Sequence, residues 1–201
     1  MNENKKAATQ VPIHALLAGR WSPRAFDAAR PVEREKIISL IEAARWAPSA
    51  FGDEPWRYLL WDRTSDPVGW QKAFDCLSES NKAWVKNAPL LILSCAGSLF
   101  RRDGKPNRHS QHDTGAASMA LVVQAVALGL AAHQMAGFDG NKARELFAIP
   151  AEYSPMAMIA VGYQAEPDLL EGERRDREKA PRSRQPLGSN FFAGNWSIPI
   201  D

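Results

Sequence analysis

The stretch Thr114-Gly-Ala-Ala-Ser-Met-Ala-Leu-Val-Val-Gln-Ala-Val-Ala-Leu-Gly129-Leu-Ala-Ala-His-Gln-Met-Ala-Gly-Phe138 lies between Asp113 and Asp139 and contains no Asp, Glu, Lys or Arg. It is long enough to cross a bilayer, which takes about 20 apolar residues. Three polar side chains, Gln124, His133 and Gln134, and the small residues Gly115, Ala116, Ala117 and Ser118 argue against insertion. The pattern also changes after Gly129, so the stretch reads as a helix buried on nearly all sides, followed by a strand. In a chain of 201 residues such a helix needs a second subunit to cover it.

Outward from that stretch the chain alternates amphipathic and fully apolar segments. Ile37, Ile38, Leu40, Ile41 and Ala44 fall at helical spacing between Glu33 and Trp46, and Pro48 biases Ala47 out of the helical region. Residues 11–17 form a short amphipathic piece that Gly19 can stop. Strands are expected at Trp56–Trp61, Leu90–Cys95, Met135–Phe138 and Met156–Gly162, helical pieces over Pro67–Lys86, and a short helix at Asn141–Phe147 that Pro150 ends. Asp113 or Thr114 is a candidate cap for the uncharged helix. Residues 97–111 read as a polar, solvated loop carrying Arg101, Arg102, Lys105 and Arg108. Helices outnumber strands without regular alternation, which favours α+β over α/β.

The expected organisation is a flexible polar terminus over residues 1–9, then one domain over 10–201. Its last part, 165–201, is an aperiodic tail with alternating acids and bases, and it must lie on something. Lys and Arg number 25 against 23 acids, a formal charge of +2, which excludes a general nucleic-acid binder. Two cysteines, Cys76 and Cys95, are too few for a disulfide scaffold, and no apolar leader opens the chain, so a reducing cytoplasm is expected.

Neither a G-x-G-x-x-G nor a P-loop pattern occurs. Arginines could hold a phosphate instead. Arg20 and Arg24 flank Ser22, and Arg182 and Arg184 flank Ser183; in extended chain each pair points one way, which suits a dianionic phosphate as well as it suits plain surface charge. His109-x-x-His112-Asp113 lacks the further ligands a metal requires. His133 reads as a hydrogen-bonded core histidine, Cys95 as packing, and Ser49 lacks the context of a hydrolase nucleophile.

Together these segments resemble the FMN-dependent nitroreductase family. The resemblance rests on Arg20-Trp-Ser-Pro-Arg-Ala-Phe26, Ala44-Arg-Trp-Ala-Pro-Ser49, Pro55-Trp-Arg57, His133-Gln-Met-Ala-Gly-Phe-Asp139, Met158-Ile-Ala-Val-Gly-Tyr163 and Arg182-Ser-Arg-Gln-Pro-Leu187, in the family's order. It implies an α+β fold with a central mixed or antiparallel sheet flanked by helices, and an intertwined homodimer with two FMN sites at the interface. It assigns Arg20, Ser22, Arg24, Arg182 and Arg184 to the FMN phosphate, with Trp21 beside them through its backbone. Pro48, Ser49 and Ala50 would line the isoalloxazine from the partner subunit, and Gln134, Met135, Ala136 and Gly137 would run along the flavin's reactive face. The tail would wrap the other subunit.

The implied chemistry is a two-step exchange. Hydride passes from NADH or NADPH to the flavin, then electrons pass to a flat acceptor such as a nitroaromatic or quinone. The cofactor carries that chemistry, so no catalytic acid or base is assigned. Two positions depart from the family: Gly52 and Glu54 stand where Asn and Gln are usual, with Asp53 between them. Gly52 offers only its backbone N–H to the flavin's pyrimidine edge. Glu54, if inward, would lower the flavin potential, although adjacent acids in a loop also suit solvent. Other flavin chemistry (dehalogenation, flavin destruction, metabolite dehydrogenation) and a non-catalytic flavin-binding module are the alternatives.

Overall fold

Each position of Leu90–Gly97 is buried, which requires a strand covered on both faces. The computed structural model, which describes residues 5–200, shows how. In chain order its elements are α1 (Ala15–Gly19), α2 (Arg34–Arg45), β1 (Trp56–Asp62), α3 (Pro67–Asp75), α4 (Glu79–Val85), β2 (Leu90–Gly97), α5 (Ser110–Ala127), β3 (Ala131–Met135), α6 (Gly140–Leu146), β4 (Tyr153–Gly162) and α7 (Gly172–Lys179). The strands form one antiparallel sheet in the order β1-β2-β4-β3. Side-chain alternation along β2 sends Leu91, Leu93 and Cys95 into a cluster with Phe26, Trp61, Trp70 and Trp84. Leu90 and Ile92 point the other way, to Leu40 of α2 and Leu121, Val122 and Ala125 of α5. Fully burying each of these leucines or isoleucines contributes about 1.5–3 kcal/mol.

Both thiols, Cys76 and Cys95, are free and buried. Burial raises the pKa of each, that of Cys95 to about 11.

α2, β1 and β2 form where the periodicity places them, but several neighbours differ. The third strand occupies Ala131–Met135 rather than Met135–Phe138, because Leu130-Ala-Ala132 is a buried small-residue run without a strand's polar alternation. α5 begins at Ser110, so Asp113 and Thr114 sit in its first turn and do not cap it. Only one face of α5 is buried, through Ser110, Asp113, Thr114, Ala117, Ser118, Leu121, Val122 and Ala125. The other face, with Gly115, Ala116, Met119, Ala120, Val123 and Ala127, is exposed or half-exposed in the single chain. Among the described residues no helix is long and apolar enough to cross a membrane.

Both ends of the chain are more structured than their composition suggests. Residues 1–4 of the polar terminus lie outside the described residues. Lys5 is 3% exposed; its ammonium donates to the carbonyls of Arg177 and Ala180, and Ala7 N–H donates to Ala18 O. The tail contains α7, eight residues long, which lies against its own chain. Beyond it, Phe191 and Trp196 are exposed, Trp196 at 86%.

Candidate functional site

Pro23 keeps Arg20–Ala25 out of regular helix or strand, and the segment that follows joins the end of β4. Phe26 bridges to Gln164, and Asp27 N–H and Ala165 N–H donate to Tyr163 O and Ala25 O. The edge strand β3 lies alongside. His133 Nδ1 is 2.9 Å from Pro23 O, and the ring packs on Trp84. Burial, with the Arg24 and Arg20 charges adding to it, pushes the His133 pKa down to about 4, so its ring is neutral near pH 7 and donates to the proline carbonyl. This is the core histidine the sequence suggested.

The tail brings Arg182 and Arg184 to the same place. Arg20, Arg182 and Arg184 line one cavity of about 610 Å³, walled on its far side by residues 7–11, Ile13 and Leu17. Arg20 reaches only Ser22 Oγ, at 3.4 Å. Among the described residues neither Arg20, Arg24, Arg182 nor Arg184 forms an ion pair. The guanidinium pKa values of Arg20 and Arg182 are lowered by burial and then by neighbouring arginines. Like charges gathered without a carboxylate make a pocket for an anion. Arg24 is not in its wall; its guanidinium lies over Trp84.

Arg182 is not a free ligand of the kind the sequence suggested. Its two terminal nitrogens donate to Arg20 O and Ala18 O, so it holds the backbone of the first segment. Arg184 bonds only the Ser183 carbonyl and is exposed. A residue absent from the sequence reading, Glu178, is 0% exposed and accepts the backbone N–H groups of Arg24 and Ala25.

The Gln134–Gly137 stretch is split by its own geometry. Gln134 and Ala136 are exposed at the sheet edge, while Met135 is buried in the core. Gly137 O accepts from Ser78 N–H and Asn81 Nδ2. A β-carbon on Gly137 would sit 2.8 Å from Asn81 Nδ2 and Ser78 Oγ, so a larger residue there requires those two side chains to shift.

Pro48–Gly52 lies elsewhere. Ala50 N–H donates to Asp113 Oδ2 and Glu54 N–H to Ser49 Oγ. Gly52 N–H, the donor expected for a flavin edge, is taken by Ser49 O. Phe51, Gly52 and Glu54 all have positive φ. Asp53 does not face solvent: it is 5% exposed and accepts from Arg101 N–H and Asn107 Nδ2. The 97–111 loop is thereby docked on this turn and is not simply solvated. Glu54 is exposed.

Asp113 at the N-terminal end of α5 anchors this turn, whereas Val126 near the other end lines a cavity with Trp21 and Pro23. At 1.5 Å rise per residue those two positions are roughly 20 Å apart. Within one chain, therefore, the two sets of expected site residues stand at opposite ends of one helix.

A four-stranded antiparallel sheet between helical layers, with an arginine-lined cavity where the first segment meets the tail, defines an α+β protein with a candidate anion site. The model of the nitroreductase family matches residues 17–163, and the chain belongs to that family. It is similar along nearly its whole length to an oxidoreductase whose crystal structure contains FMN: 32% identity, TM-score 0.90, covering 98% of this chain and 99% of that one. Protein DrgA of Synechocystis is 29% identical over 198 residues, 84% of this chain and 90% of its own. A Methanothermobacter thermautotrophicus protein carrying the name NADH dehydrogenase/NAD(P)H nitroreductase is 29% identical over 160 residues, 75% of this chain and 78% of its own.

Proposed function

We propose that the protein is an FMN-dependent oxidoreductase that takes hydride from NADH or NADPH and passes electrons to a flat acceptor, a nitroaromatic or a quinone. The observation that carries this reading is the uncompensated arginine pocket. Arg20 and Arg184 present guanidiniums to a cavity that, among the described residues, holds no carboxylate partner for them. A dianionic phosphate relieves that repulsion with charge-assisted hydrogen bonds. Bound FMN would supply the hydride and electron chemistry.

The chain's own residues hold and shape the site. Arg20, Arg184 and Ser22 grip the phosphate, with Arg24 close by. The exposed edge at Gln134 of β3 and Ala136 just beyond it gives the flavin ring a flat wall, held in place by Met135 in the core. Pro48, Ser49 and Ala50 complete the site from a second copy of the chain. Pairing the uncharged outer faces of two α5 helices in antiparallel fashion sets the Asp113 end of one beside the Val126 end of the other, and so joins the two half-sites. The distal tail, with exposed Phe191 and Trp196, wraps that second subunit. The ping-pong order follows from one pocket serving donor and acceptor in turn.

The test is an anaerobic absorption spectrum of the purified protein. Flavin bands that bleach with NADH or NADPH and return with a nitroaromatic or quinone are expected; a colourless protein that FMN cannot reconstitute overturns the proposal. Arg20→Ala should weaken FMN by about 10- to 150-fold, the loss of one charge-assisted contact of about 1.5–3 kcal/mol.

A further inference from the structure

Glu178 is the one fully buried acid among the described residues, on a helix whose other residues are all exposed. Burying a carboxylate is unfavourable unless it is well bonded. Its Oε1 takes two consecutive backbone donors, Arg24 N–H at 2.8 Å and Ala25 N–H at 3.0 Å. Two successive N–H groups converging on one oxygen form an anion-binding nest, here filled by the chain's own side chain from 153 residues away. Oε2 has no hydrogen-bond partner among the described residues.

The same turn of chain is held at its other end by Arg182, on Ala18 O and Arg20 O. Lys5 then fastens α7 itself, donating to Arg177 O and Ala180 O with its ammonium over the Trp21 ring. Backbone acceptors of residues 18 and 20 and donors of residues 24 and 25 are therefore all taken by the tail. The Arg20 side chain, with Ser22 hydrogen-bonded to it, is left to face the cavity, while Arg24 lies over Trp84.

We infer that Glu178 is a positioning residue for phosphate recognition: it holds the backbone at Arg24 and Ala25 so that Arg20 and Ser22, just before them, present one preformed grip. The inference rests on the flavin reading above, and it makes the tail, which lies outside the family-matched residues 17–163, part of the cofactor site. Because the grip concerns the phosphate alone, its loss must separate FMN from riboflavin, which has the same ring and no phosphate.

The experiment measures FMN and riboflavin affinity of the flavin-free full-length chain by fluorescence quenching, for the wild type, Glu178→Ala, Glu178→Gln and Glu178→Asp. Glu178→Ala should lower the FMN-to-riboflavin affinity ratio at least ten-fold. Glu178→Gln keeps an oxygen acceptor for both N–H groups and should restore the ratio to within about three-fold of wild type. If the alanine variant does not fold, Glu178→Asp, one methylene short of the nest, should show the same selective loss. An unchanged ratio in Glu178→Ala, or in Glu178→Asp where that variant stands in, overturns the inference, as does an equal loss of both ligands. A wild type that binds neither flavin overturns the flavin reading and this inference with it; a wild type that binds FMN while the variants keep its ratio overturns the inference alone.

Discussion

Two irregular segments of this chain, Arg20–Ala25 and Pro48–Glu54, are each held by buried carboxylates that accept backbone N–H groups, yet they are tied to different parts of the molecule. The Pro48–Glu54 turn hangs on Asp113, and its own Asp53 hangs on Arg101 and Asn107; all of these lie within the family-matched residues. The Arg20–Ala25 segment hangs on Glu178 and Arg182, beyond them. The lesson is that the shape of the Pro48–Glu54 turn is a property of the common core, while that of Arg20–Ala25 depends on an extension the core does not include.

The comparison can be broken most forcefully through pH. His133 bonds the Arg20–Ala25 segment directly at Pro23 O, whereas at the other turn the exposed His112 touches only the Asp113 carboxylate and none of the turn's backbone. The folded chain favours neutral imidazole: unfolded, it gains a proton near pH 6.5, folded only near 4. Stability should therefore fall as pH drops from 6.5 toward 4, by at most about 3 kcal/mol. Urea unfolding at both ends of that range should show the fall in the wild type and a smaller one in His133→Asn; equal falls would remove His133 from the account.

Next in size is Asp53→Ala, which leaves Arg101 N–H and buried Asn107 without their acceptor and should cost about 2–3 kcal/mol in urea unfolding. Asp113→Ala removes a single N–H tie to Ala50, with about 1–2 kcal/mol expected. Neither change should alter the FMN-to-riboflavin ratio, since both act on the turn away from the phosphate pocket. A drop in that ratio would show that the two segments are not independent. Smallest is Arg101→Ala. Its backbone, not its side chain, makes the firm bond to Asp53, and its guanidinium only approaches Gly52 O at 3.5 Å; a stability change within about 0.5 kcal/mol is expected.

What could be read from the sequence follows the same division. α2, β1 and β2 advertise themselves through apolar spacing, because each buries side chains against the sheet or its covering helix. Arg20 and Arg184, which the family resemblance singles out, are brought by the fold to the wall of one cavity. Arg182 lines that cavity too, but its ties to two backbone carbonyls leave no mark on residue spacing. α7 has no apolar residue at all, so no period marks it, and Glu178 is one acid among many in an alternating charge run. The buried Asp53 was hidden in the same way: only the docking of the 97–111 loop tells it apart from exposed Glu54.

The two thiols, finally, bear on how long such a protein survives its own work. Quinones are electrophiles that add to thiolates, and a catalyst that handles them risks alkylation at each turnover. Here Cys76 and Cys95 are shut inside the hydrophobic layers and kept protonated, so the nucleophilic form is scarce and out of reach. The fold that packs them as small apolar residues thereby also gives the chain chemical resistance to the molecules it is proposed to reduce.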